Sequence, residues 1–138
     1  MRGRTPKKTR KVLTIGKLKA KVWKEFSLYI RTRDSVNGYG NCSTCGEHVH
    51  YKEANAGHYI HGNTKPTYFD ERNVHLQCVR CNKWLSGNLH KYALFLERTY
   101  GSGILQELEI KSKGPVYSRV RLEELLETYK QKLKNLTQ

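Results

Sequence analysis

The sequence predicts an α+β fold in which a zinc-stapled central element is flanked by an N-terminal and a C-terminal helix. Three features carry that expectation: two C-x-x-C pairs, Cys42 with Cys45 and Cys78 with Cys81; a run between them rich in β-branched and aromatic residues; and amphipathic periodicity near both ends of the chain. At 138 residues the chain suits one domain with appendages rather than two independent cores.

Residues 1–13 mix Lys, Arg and Thr with one Pro and no apolar period, as expected of a disordered basic arm ahead of a single domain over 14–138. Over 17–33, "KLKAKVWKEFSLYIRTR" sets Leu18, Val22, Phe26, Tyr29 and Ile30 on one helical face with basic residues opposite. The Asn-Gly and nearby glycines of "DSVNGYGN" stop this helix. "HVHYKEANAGHYI" then alternates like short strands around a turn at 53–57; "HGNTKPTYFDER" reads as loop and "NVHLQC" as a strand entering the second cysteine pair. Beyond Cys81, "NKWLSGNLHKYALFLERTY" reads as a helix that runs through Gly87 and ends at Gly101, with Trp84 packed under the knuckle. "GILQELEIKSKGP" follows as a shorter helix and loop. Over 117–136, Leu122, Leu126, Tyr129, Leu133 and Leu136 recur at intervals of 4, 3, 4 and 3, a narrow seam suited to a two-helix contact.

The charge is +14 with a pI near 9.8, and residues 1–33 carry twelve Lys or Arg against the single acid Glu25. Such a balance serves phosphate neutralisation, so nucleic acid leads over an anionic membrane surface as partner. The residues expected on the phosphates are Arg2, Arg4, Lys7, Lys8, Arg10, Lys11, Lys17, Lys21, Lys24 and Lys83. No run approaches a membrane span and the first residues lack an apolar signal core, so a cytoplasmic location is expected. In a reducing compartment the cysteines read as four thiolate ligands of one structural zinc, which leave no position for substrate. Between the pairs lie 32 residues, and a metal closing them would draw the neighbourhood of His58 towards Asn82.

His58, Asn73 and Asn82 are interleaved with the cysteines, and this order resembles the HNH, or ββα-metal, nucleases; Asn82 directly after the last cysteine is similar to the phage endonuclease VII resolvases. "FSLYIRTRD", "AGHY", "FDERNVHLQC" and "CNKWLSGN" resemble the phage NinG or Rap recombination nucleases from roughly residue 17 to beyond 110. The resemblance implies a zinc-bound ββα core over 42–100 and a metal-dependent, structure-specific endonuclease that cuts branched DNA such as Holliday junctions, in the host cytoplasm. It assigns His58 as general base, Asn73 to orient the imidazole or hold the loop, and Asn82 as an oxygen ligand of a catalytic Mg2+ or Mn2+.

One departure stands out. Many HNH sites carry an acid immediately before the base, where this chain has Gly57. The missing ligand could come from Asn55, His61, Asp70 or His75, with Asn55 favoured for its place three residues before His58. The blander alternative for Asn82 is a helix N-cap; His48, His50, His75 and His90 default to solvent or loop hydrogen bonds, with phosphate contact open to His75. Symmetric cutting of a four-way junction would use two sites, which a homodimer joined through the C-terminal seam would supply. Two readings compete with the enzyme: a non-catalytic zinc-knuckle module binding branched or single-stranded nucleic acid, for which Gly57 is the best argument, and a basic ribosome- or RNA-associated structural protein.

Overall fold

The computed structural model describes Gly3 and residues 12–137. The expected arm contacts of Arg2, Arg4, Lys7, Lys8, Arg10 and Lys11 lie outside the described residues.

Helix α1 (Ile15–Arg33) starts where the Thr14 hydroxyl accepts the Lys17 N–H at 3.2 Å, and it buries Leu18, Val22, Phe26 and Ile30. Tyr29 is only partly buried at the edge of this stripe. Where a bare helix stop was expected, Asn37 (φ 53°) and Gly38 (φ 85°) turn a small hairpin of β1 (Ser35–Val36) and β2 (Tyr39–Asn41), and β3 (His48–His50) adds to it antiparallel. A 3₁₀ turn over Tyr51–Glu53 carries the chain into β4 (Asn55–His58). The turn thus lies ahead of the expected 53–57, and most of that segment is strand. β4 pairs with β5 (Val74–Gln77) antiparallel, Gly57 opposite His75 and Asn55 opposite Gln77.

After β5 the single expected helix is two. A π-helical turn over Arg80–Trp84 stops at Leu85, and α2 (Leu89–Tyr100) starts afresh. Three successive residues, Ser86 (φ 50°), Gly87 (φ 93°) and Asn88 (φ 49°), are left-handed, which no continuous helix accommodates. Trp84 is 81 % exposed on this turn, not packed beneath the knuckle. Helix α3 (Ile104–Ser112) packs on α2 through Leu96, Ile104 and Leu108.

Helix α4 (Arg119–Thr137) returns to α1 and closes the principal core with Leu122, Leu125 and Tyr129. Leu125, rather than Leu126, is buried, because α4 packs on α1 and on the loop that carries Phe69, a face wider than a two-helix seam. Leu122, Tyr129 and Leu133 of the expected seam are thereby buried within one chain, while Leu126 is half-buried and Leu136 exposed. Arg33 and Asp34 fasten the end of α1 to the sheet: Arg33 donates to the Val74 carbonyl and Asp34 accepts the Leu76 N–H, both at 3.0 Å.

Candidate metal and active site

The four cysteine sulfurs lie within 4.8 Å of one another, with Cys42, Cys78 and Cys81 buried and Cys45 exposed. The two pairs come from the loop after β2 and from the end of β5 with the π-helical turn, so one ion would join both sheets to the segment that bears Asn82. Burial pushes the Cys78 and Cys45 thiols up, whereas at Cys42 the Thr44 hydroxyl and neighbouring backbone outweigh burial and bring the thiol down to about 6. Four thiolates this close repel one another, and a divalent cation resolves the repulsion. The cluster could hold a zinc ion.

His58 ends β4 and packs in a cluster of three rings: Tyr68 stacks on it at 4.6 Å and 13°, Trp23 of α1 at 5.0 Å and 22°, and those two rings lie 5.2 Å from each other. Its Nε2 is 2.9 Å from the Tyr68 carbonyl oxygen. A carbonyl only accepts, so Nε2 carries the proton and Nδ1 keeps its lone pair. Burial, and the nearby His61, lower its pKa to about 4 against the hydrogen bond to Tyr68, so the ring is neutral at pH 7.

Asn73 is fully buried and does not bond the imidazole. Its Oδ1 accepts the Ile60 N–H at 2.8 Å and its Nδ2 donates to the carbonyls of Ile60 and Thr67, both at 3.0 Å. It clamps the loop whose Tyr68 carbonyl meets His58.

Asn82 lies inside the π-helical turn and caps nothing on α2, whose N-cap position is Asn88. With Asn55, Trp23, Ser27, Arg31 and Lys83 it lines an open cleft of about 340 Å³. Trp23 is shared, lining the cleft on one side and stacking on His58. Lys83 is exposed there, as are Lys17, Lys21 and Lys24 along α1. Arg31, fixed by its bond to the Tyr51 carbonyl at 2.9 Å, adds a second cation. Its position in the last turn of a basic helix gave no hint of this role.

The other candidates for the missing ligand are engaged or distant. Asp70 is buried and held by Lys111 at 2.7 Å and Arg72 at 3.3 Å, and these bonds draw its pKa down despite burial. His75 is buried rather than free for phosphate: Tyr92 donates to the Gly57 carbonyl at 2.7 Å, so His75 Nδ1 donates to Tyr92 at 3.1 Å and Nε2 accepts from Tyr100 at 2.8 Å. That chain braces β4 from α2. His61 is exposed beside Gly87, and His48 stacks on Tyr39 at 5.1 Å.

With this geometry in view, the chain belongs to the family described as Bacteriophage Lambda NinG protein, whose model matches residues 2–138. It is a phage protein family. Among curated relatives, protein ninG of Salmonella phage P22 is 36 % identical over 96 residues and protein ninG of Escherichia phage lambda 34 % identical over 96 residues; each match covers 69 % of this chain and 47 % of the relative. The chain thus spans about half the length of the curated relatives it matches. No solved structure matches it. Among the described residues no helix is long and apolar enough to cross a membrane.

Proposed function

We propose that this NinG-family protein is a metal-dependent endonuclease of the HNH type that hydrolyses phosphodiesters in branched DNA. The observation that carries the reading is His58: a neutral imidazole whose Nε2–H is anchored on the Tyr68 carbonyl, leaving Nδ1 basic, and whose stacking partner Trp23 lines a cleft with Asn82 and two cations. In this reading β4, β5 and the turn bearing Asn82 form the ββα unit, with the cysteine cluster as its structural zinc site.

His58 Nδ1 takes a proton from the attacking water. Stacking by Trp23 and Tyr68 keeps the ring in one plane, so the water it activates has one line of approach. Arg31 and Lys83 hold the phosphate against the cleft, and Lys17, Lys21 and Lys24 continue the basic track along α1. Asn82 would hold a Mg2+ or Mn2+ ion at the edge of this cleft, which when bound would supply charge stabilisation at the phosphate and the leaving oxygen.

A cleavage assay on four-way, flap, single-stranded and linear duplex DNA, with Mg2+ or Mn2+ present or chelated, tests the proposal. Metal-dependent cutting with preference for branched substrates is expected. Tight binding without cutting on every substrate would mean a zinc-stapled binding module instead.

A further inference from the structure

Gly57 leaves a specific gap where an acidic residue would otherwise stand, and another side chain fills it. The Oε1 of Gln77 occupies the volume that a Cβ on residue 57 would take; Gln77 Cδ is 2.6 Å and Asn82 Oδ1 3.0 Å from that same point. Two amide oxygens from β5 and from the π-helical turn thus converge on the backbone of Gly57. Gln77 is fully buried, and its Oε1 has no hydrogen-bond partner among the described residues. An unsatisfied buried carbonyl oxygen is costly, and its persistence calls for a bound donor or cation.

The orientation of this amide is set by its other end. Gln77 Nε2 donates to the Gly87 carbonyl at 2.9 Å and to the Thr44 hydroxyl at 3.2 Å. Because the Gly87 carbonyl can only accept, the nitrogen must face it and the oxygen must face the backbone of Gly57, which Asn82 Oδ1 also approaches. Thr44 lies within the first cysteine pair, and the left-handed turn at Gly87 presents that carbonyl. The first cysteine pair and the left-handed turn therefore act together to aim Gln77. Asn55, opposite Gln77 in the β4–β5 register, instead has an Nδ2 without an acceptor, so a nitrogen rather than an oxygen is buried there.

We infer that Gln77 Oε1 is the second protein oxygen, with Asn82 Oδ1, for a hard divalent cation, taking the place that an acid at position 57 would fill. This rests on the metal-dependent reading of the cleft. Two neutral amides in place of an amide and a carboxylate give a weaker site that leaves most of the ion's charge for phosphate oxygens. Gly57 is then a requirement of the site, since any side chain there would displace the Gln77 oxygen.

The test is Mn2+ binding to the zinc-loaded full chain, followed by loss of the free-ion electron paramagnetic resonance signal, with zinc content and circular dichroism checked for each variant. Gln77→Ala is expected to weaken Mn2+ by about tenfold or more with zinc retained. The double variant Gly57→Asp, Gln77→Ala, which sets a carboxylate in the vacated space, is expected to restore it. A Gln77→Ala chain that binds Mn2+ within about twofold of wild type while Asn82→Ala does not would overturn the role of Gln77 alone. A wild-type chain that binds no Mn2+, or an Asn82→Ala chain that binds it unchanged, would overturn both this inference and the metal site it rests on. If Gln77→Ala loses zinc or structure, Gln77→Glu decides: tighter Mn2+ binding supports the assignment, and unchanged or weaker binding overturns it.

Discussion

His58 Nε2 lies 2.9 Å from the carbonyl oxygen of Tyr68, and that one bond leaves Nδ1 as the ring nitrogen with a lone pair. The same burial that creates it lowers the His58 pKa from 6.5 to about 4, and burial lowers that of His75 to about 4 as well. Between these values the unfolded chain binds more protons than the folded one, so stability is fully present above pH 6.5 and declines as pH falls towards 4. Each imidazole contributes roughly 3 kcal/mol to that loss. Urea midpoints measured from pH 7.5 down to 4 should fall through this window, and His75→Phe should reduce the slope. Midpoints flat between pH 6.5 and 4 would mean that both rings are more hydrated than they look.

Replacing Cys42 or Cys78 by Ser should release zinc and unfold the β4–β5 neighbourhood. The cysteine cluster ties the loop after β2 to the end of β5, and the two sheets are too small to hold that geometry alone. Metal content together with circular dichroism checks this. A folded, zinc-free variant would contradict it.

Asn73→Ala should destabilise the chain by about 2–4 kcal/mol, since the Ile60 N–H and the Ile60 and Thr67 carbonyls all lose a buried partner. As the clamped loop carries Tyr68, the same change should slow cleavage without abolishing it. Denaturant unfolding and single-turnover rates would show the two effects together; an inactive but fully stable variant would make Asn73 a participant in the chemistry.

Leu122, Tyr129 and Leu133 of the α4 seam belong to the buried core of the single chain. Leu122→Ala should therefore cost about 2–5 kcal/mol at any protein concentration, while Leu136→Glu, at a position 44 % exposed, should cost little. A wild-type unfolding midpoint that rises with concentration would instead point to a contact between copies.

Much of this architecture could be read from residue types. The cysteine spacing announced the four-thiol cluster, the period of Leu18, Val22, Phe26 and Ile30 announced α1, and "NVHLQC" announced β5. Less legible was whatever depends on backbone sign or on long-range approach. Ser86 and Asn88 adopt left-handed conformations that side-chain periodicity does not encode, so one helix was expected where two exist. His75 and Asp70 looked available because their partners, Tyr92, Tyr100 and Lys111, lie 17 to 41 residues away. Gln77 escaped notice for the same reason: in sequence it is an unremarkable residue before a cysteine, and only the approach of Gly57 reveals its oxygen.

The central claim is that His58 acts as a base rather than as a buried structural ring. Single-turnover cleavage of a four-way junction by wild type and His58→Ala, with zinc content and junction affinity measured on the same samples, tests it most directly. Cleavage by the variant should fall by about a hundredfold or more while affinity and zinc stay near wild type, because a general base acts in the transition state and adds little to ground-state binding. A folded His58→Ala chain that still cuts within about threefold of wild type, a barrier change under ~1 kcal/mol, would contradict it.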